Sequence, residues 1–270
     1  MKDKIGEGIF LFLLKFTDYP DELLNGNIYM GNLKKYIDIE KENGVKGMGD
    51  MLEASQVYRD MDITMRDNSN NQVVLKGKAP SMILRWEGDE KKPVFCTFLL
   101  TEQHFKFDFE DEENMHFVLD IEETEIQHML ESFSETLVLI DATAFIKRFD
   151  AKSLEKGYNI VRGSVSYDDL SINNTNRIKS YFKDNSQVFF WKDIFFEKQN
   201  EYRIVILNEE VEDAMKFNIG DLNDIATKHN AREFFGQGYC IRMPKSLIEQ
   251  IKSYKESTLN WVIELRIEYS

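Results

Sequence analysis

Apolar and polar positions change period along this chain, and each change marks an element. Ile9 to Leu14, within "IFLFLLKF", runs apolar without interruption until Lys15, which predicts a strand over 9–16 buried on both faces. Six apolar residues cannot span a membrane, and Asp3 and Glu7 upstream are the wrong flank for a signal peptide. The next segment, "DYPDELLNGNIYM", predicts a short helix from about Tyr19 with Asp18 as its cap, a stop at Asn25-Gly26 and a short strand. A helical turn carrying Tyr36 and Glu40 follows, and then the glycine-rich loop "NGVKGMGDMLEAS".

Between 56 and 101 the pattern is β-like in four short pieces: "VYRDMDITMRD", "QVVLKGK", "SMILRWEG" and "PVFCTFLLT". "HFKFDFEDEENMHFVLDI" alternates on both sides of an acidic tip and reads as a hairpin. A helix "EIQHMLESFSE", a strand "TLVLID" and a helix from about Ala142 to Lys156 come next. "YNIVRGSVSYDD" reads as one strand with Val165 and Tyr167 on the same face. The long segment "IKSYFKDNSQVFFWKDIFFEKQNEYRIVIL" begins helical, turns Phe189, Phe190, Trp191, Phe195 and Phe196 inward, and ends in a strand. "GYCIRMP" predicts a strand, "PKSLIEQIKSY" a helix with Pro244 at its start, and "NWVIELRIEY" a closing strand. Many strands with intercalated helices and no regular βαβ repeat predict an α+β fold with mixed, largely antiparallel sheets.

Composition narrows the function classes. With 42% hydrophobic and 13% aromatic residues, the 270-residue chain can fill a sizeable core. No Pro-rich or Gly/Ser-rich linker divides it, so a single domain over 1–270 is expected. A formal net charge of −14 gives no general attraction to phosphate backbones, which argues against nonspecific nucleic-acid binding. Cys96 and Cys240 form no CxxC, which fits a reducing compartment, and the expected location is the cytoplasm, away from membranes.

Walker, GxGxxG, GxSxG and HExxH motifs are all absent. His104 and His116 could face each other across the hairpin, but the four histidines have no metal-ligand spacing, and no metal is expected. The acidic tip "DFEDEEN" lacks the register of an EF-hand and reads as a solvated turn. "KGMGDMLEA" places Asp50 and Glu53 three residues apart after two glycines, either as a capping arrangement or as two carboxylates presented at a helix start. In "KQNEYRIVIL", Glu201 and Arg203 stand two apart at the mouth of an apolar strand. They form either a surface ion pair worth up to about 1 kcal/mol or the lip of a site. A carboxylate fixed beside aromatics is suited to stabilise the positive charge that develops on a sugar ring as a glycosidic bond breaks.

The pieces "LLKF", "LLNGNIYMGNLKKYIDIE", "GDMLEA", "VFCTF", "GSVSYDD" and "FFWKDIFFEKQNEYRI", taken in order over residues 9 to 207, resemble a large bacterial family. Its marks are a first strand with a basic residue, an "nDpfE"-like turn, a short Ser/Thr-bearing strand, a V-x-Y strand and a terminal "K-x-E-x-EyR" segment. Its members look like remote relatives of the ADP-ribosyltransferase fold, and many accompany toxin or phage-defence genes. The resemblance implies NAD as substrate, with Lys15 as the basic residue of the first strand and Thr97 on the strand that orders the nicotinamide-side pocket. Tyr29 and Tyr36 would stack on nicotinamide. Glu201 would be the catalytic glutamate and Gln199, in Gln-x-Glu spacing, would orient the acceptor, while Asp50 and Glu53 match the family's acidic turn. Lys15 stands where the family has Arg or His, and the Ser-Thr-Ser element is reduced to Cys-Thr.

The expected function is therefore an ADP-ribosyltransferase-like toxin or phage-defence effector that transfers ADP-ribose from NAD to a protein or RNA acceptor, with an antitoxin or phage protein as partner. Two alternatives stay open. One is a catalytically silent protein-binding module of the same fold, using its acidic surface for recognition. The other is a metal-dependent nuclease built on Asp50 and Glu53.

Overall fold

A computed structural model describes residues 10–44 and 49–256. In chain order the first elements are β1 (Phe10–Phe16), α1 (Pro20–Leu24), β2 (Asn27–Gly31), α2 (Lys34–Asn43), β3 (Gln56–Arg66), β4 (Val73–Leu84) and β5 (Val94–Thr101). There follow β6 (Phe105–Glu110), β7 (Asn114–Leu119), α3 (Glu123–Ser132), β8 (Thr136–Asp141), α4 (Ala142–Lys156), β9 (Ile160–Ser164) and β10 (Ser166–Asp168). The last are α5 (Thr175–Lys183), β11 (Trp191–Asp193), β12 (Glu201–Ile206), β13 (Ala214–Asn218), β14 (Ala226–Asn230), α6 (Ala231–Gly236), β15 (Cys240–Pro244) and α7 (Lys245–Glu256). The fold is α+β with mostly antiparallel open sheets, and β10 pairs with β11 in parallel.

The chain forms two compact units, each discontinuous in sequence. The first gathers residues 1–29, 96–159 and 216–270, and the second residues 30–95 and 160–215.

In the first unit β1 lies between β5 and β8, antiparallel to both, and β14 continues the sheet beyond β8. Leu11 to Leu14 are all buried, because both faces of β1 are covered, and this is why the strand reads as an unbroken apolar run. One covering layer is a cluster in which Phe12, Phe98, Phe117, Met129, Leu139 and Ile248 pack together. Each such side chain contributes about 1.5–3 kcal/mol by leaving water. The second layer is α4, capped by the Asp141 carboxylate at the Ala144 N–H, with Phe145 and Phe149 fully buried. β15, β7 and β6 make a separate three-stranded antiparallel sheet.

In the second unit β9 pairs antiparallel with β12, and β3 with β4. The β3–β4 ribbon is largely exposed along β4, where Val74 and Leu75 are more than half accessible and Lys76, Lys78 and Pro80 punctuate the strand.

Several expectations need correcting. Tyr19, not Asp18, occupies the cap position of α1, and no side chain caps it. "QVVLKGK" and "SMILRWEG" form one strand, because Pro80 sits where the ribbon tolerates a missing donor. The single strand expected over "YNIVRGSVSYDD" divides at Val165 into β9 and β10, which take different partners. Phe195 is 57% exposed, although its neighbours Phe189, Phe190 and Phe196 are buried. His104 caps a short turn with Thr101 and His116 pairs with Asp111, so they do not face each other. β13, β14 and α6 fill a stretch, 208–237, for which the hydrophobic pattern predicts no element. The closing strand expected over 260–269 and residues 45–48 of the glycine-rich loop lie outside the described residues.

Two glycines of the first unit separate backbone strain from steric conflict. Gly26 has φ +81°, and a Cβ there would lie 1.8 Å from the Gly220 carbonyl oxygen. Gly157 has φ +71° and nothing within 4 Å of such a Cβ. Gly157→Ala is therefore expected to cost about 1–2 kcal/mol, the left-handed penalty alone. Gly26→Ala should cost more than that, because the backbone must also move. Urea unfolding of the two variants checks the order, and equal losses would refute the close approach.

Candidate functional site

One group of buried charges in the second unit gathers around β12. Glu201 and Arg203 are two apart on β12, so their side chains leave the same face of the strand. Arg203 is 1% exposed, and its Nη1 and Nη2 donate to Oε2 and Oε1 of Glu53 at 2.8 and 2.7 Å. This is a planar two-point contact, the strongest geometry available to a guanidinium and a carboxylate. Its Nε donates to Glu201 Oε2 at 2.7 Å, and Nη1 also reaches the Phe189 carbonyl at 2.9 Å. A guanidinium has five N–H donors, and four bonds from this one converge on two acids and a backbone oxygen.

Lys192, on β11, is the second cation. Its ammonium donates to Glu201 Oε1 at 2.8 Å and to Gln199 Oε1 at 2.8 Å, and it lies 3.3 Å from Glu53 Oε1. The Phe196 ring centre is 4.3 Å away, a cation–π contact that excludes water from the other side. Asn200 at φ +38° swings the chain so that Gln199 and Glu201 reach the same ammonium. Parallel pairing of β10 with β11 sets Tyr167 opposite Lys192, and the Tyr167 hydroxyl accepts the Glu201 backbone N–H at 2.9 Å.

Glu53 comes from the acidic turn, which leads into β3 and not, as expected, into a helix. Gly49 lets this turn press on α2, since a Cβ there would lie 2.4 Å from the Glu40 nitrogen. The Asp50 N–H donates to the Tyr36 carbonyl, and the Met51 N–H to Glu40 Oε2. Arg85 fastens the far side through the carbonyls of Met51 and Glu53. Asp50, 3% exposed, accepts the Leu52 N–H on Oδ1, while its Oδ2 is buried without a hydrogen-bond partner.

The electrostatics follow from burial and pairing. Burial alone would raise the Glu201 carboxyl, but Arg203 and Lys192 outweigh it and hold the group at about 2. The same two cations keep Glu53 below its ordinary value against the effect of burial. Burial also works against the Lys192 ammonium, and Glu201 and Glu53 reverse this and raise it. Asp50 goes the other way: burial and then Glu53 push it up to about 6. Tyr167 is raised by burial and by Glu201, so it stays a neutral phenol.

Of the residues that sequence reasoning singled out, the second unit holds Tyr36, Asp50, Glu53, Gln199 and Glu201. The structure brings Glu53, Gln199 and Glu201 together around Lys192 and Arg203. Lys15, Tyr29 and Thr97 belong to the first unit. There the Lys15 ammonium donates to the Cys96 carbonyl at 2.7 Å, Thr97 is buried, and Tyr29 is exposed. Tyr36 is partly exposed on α2. The exposed ion pair considered for Glu201 and Arg203 is instead buried. The roles of Lys192 and Tyr167 were missed, because partners fixed by β10–β11 pairing leave no local spacing in the sequence.

A cleft of about 270 Å³ also belongs to this unit, with Ile37 and Lys41 of α2 on one side and Arg85, Trp86, Glu87 and Glu90 on the other. Trp86 is 57% exposed at its rim. No family model matches the chain, and neither a curated protein nor a solved structure is similar to it.

Removing one member of a buried charge pair leaves the other uncompensated, which costs about 3–5 kcal/mol. Glu53→Gln is expected to lose that much stability in urea, and Glu53→Met combined with Arg203→Met to recover most of it. A double variant no better than the single one would contradict the pairing. The Glu201 carboxyl is depressed from 4.5 to about 2, so its contribution is complete above pH 4.5 and is lost as pH falls toward 2. Roughly 3 kcal/mol of acid-labile stability is expected over that window. Glu201→Gln should lack it in an acid titration followed by circular dichroism.

Proposed function

We propose that this chain is a catalytically silent, protein-binding member of an ADP-ribosyltransferase-like fold, acting in the cytoplasm beside a toxin or phage-defence system. The observation that carries this reading is that both carboxylate oxygens of Glu201 are taken, one by Arg203 and one by Lys192. A glutamate that stabilises a ribosyl cation must present net negative potential to the sugar. Two cations, each 2.8 Å or less from this carboxylate, cancel that potential. What remains is a neutral, interlocked group that fixes β11, β12 and the acidic turn.

Recognition then falls to the surface. Trp86 at the rim of the cleft is the kind of large, flat, half-polar side chain that anchors protein contacts. The net charge of −14 favours a partner with a basic face, such as an antitoxin or a phage protein.

A second reading keeps the transferase. It is favoured by the convergence of Gln199 and Glu201 on one ammonium, which gives the Gln-x-Glu spacing a shared geometry. On this reading Lys192 must release Glu201 when NAD binds, and a protein or RNA accepts the ADP-ribose. The nuclease reading draws nothing from the acidic turn. Both Glu53 oxygens are held by Arg203, and among the described residues no three His, Cys, Asp or Glu side chains are placed to hold a metal ion together.

Incubation of the full chain with labelled NAD and a cell lysate separates the two readings. The silent module should label nothing, and millimolar NAD should leave its melting temperature unchanged. Label on protein or RNA that disappears in Glu201→Gln would establish the transferase instead.

A further inference from the structure

Among the described residues, the five acidic and basic groups gathered at the site do not balance. Lys192 and Arg203 match Glu53 and Glu201, and Asp50 is left over. Its Oδ2 has no partner among the described residues, and its Oδ1 has only the Leu52 N–H. An isolated negative charge held 3% exposed is unfavourable, and a carboxyl in that position takes up a proton more readily than it does in water.

We propose that Asp50 is a proton-operated latch for the turn of residues 49–55. With the proton on, the buried group is neutral overall and the turn closes against α2. With the proton off, a surplus negative charge faces the Glu53 carboxylate three residues along, and the turn opens more often. Among the described residues, the charged groups around Asp50 are Glu53 on its own turn, Lys192 on β11, Arg203 on β12 and Arg85 after β4, with Glu40 of α2 bound to the next residue's N–H. The cations lower the acidity shift without cancelling it, since Arg203 and Lys192 already serve Glu53 and Glu201.

The latch reaches the surface through Arg85. Its guanidinium is held by the carbonyls of Met51 and Glu53, both in the turn, and Arg85 lines the cleft beside Trp86. Opening of the turn therefore releases one wall of that cleft. This regulation holds whether the cleft binds a protein partner, as proposed above, or something else.

The direction with pH is fixed by the values. In the closed turn the Asp50 carboxyl is pushed up to about 6, against 3.8 when it is exposed. The closed form thus gains as pH falls through 6, the gain is complete near 4, and above 7 it is absent. Glu201 is held at about 2, below this window, and Arg203 and Lys192 keep Glu53 below its ordinary value.

Hydrogen exchange of the full chain between pH 4 and 8, corrected for intrinsic rates, tests the latch. Protection of the amides of 51–55 should rise about tenfold per pH unit from 6 to 4, roughly 100-fold in all. It should be flat and high in Asp50→Asn. The same pH profile in both proteins would overturn the proposal. If Asp50→Asn fails to fold, carbon NMR of the Asp50 carboxyl in the unaltered protein decides: a midpoint near 6 supports the latch, and one near 4 refutes it. Neither measurement involves NAD, so the outcome stands apart from the labelling result.

Discussion

Arg203 is the one group whose removal would leave the second unit without a centre. It is buried to 1% and takes two carboxylates and a carbonyl from three different parts of the chain. A buried guanidinium is costly unless its donors are filled, so its presence forces the rest of the unit into register. β12 must carry Glu201 on the same face, the acidic turn must deliver Glu53, and the segment before β11 must offer the Phe189 carbonyl. Lys192 repeats the demand with a compact charge, and Phe196 closes the remaining side. Replacing such a group by apolar residues of similar volume can be neutral for stability, so what the buried charges supply here is a fixed arrangement of their elements.

The same saturation bears on chemistry. A carboxylate does work on a substrate through lone pairs and potential that the protein has not already spent. At Glu201 both oxygens are engaged, and the nearest field is that of two cations. Asp50 is the opposite case, a carboxyl that burial and Glu53 push up to about 6, with an oxygen that takes no hydrogen bond from the described residues. The two acids sit on the same small scaffold and are driven in opposite directions: at Glu201 the two cations outweigh burial, and at Asp50 burial and Glu53 outweigh the same cations.

How much of this could be read from the chain depends on the range of the interactions. β1 and β8 are legible because an unbroken apolar run has one explanation, and α4 because Asp141 and Gly157 mark its ends. Between 208 and 237 the runs are short and interrupted by charge, so β13, β14 and α6 leave no clear period. The pair Glu201 and Arg203 was visible as two charges on one strand face, and its burial was not. Strand spacing tells which side chains point together and says nothing of what covers them. Asn200 in the left-handed region, which turns Gln199 toward Lys192, has no signature beyond being an asparagine. Glu53 and Arg203 are 150 residues apart, and no local pattern could have joined them.

That separation also orders events during synthesis. Glu53 leaves the ribosome 150 residues ahead of Arg203, which at ~5–20 residues per second is a wait of roughly 8–30 seconds. Through that interval the nascent acidic turn has Arg85 but neither of the cations that neutralise its glutamate, so it must remain hydrated. None of the long-range charge pairs at this site can therefore help the first half of the second unit to fold until β11 and β12 have been made.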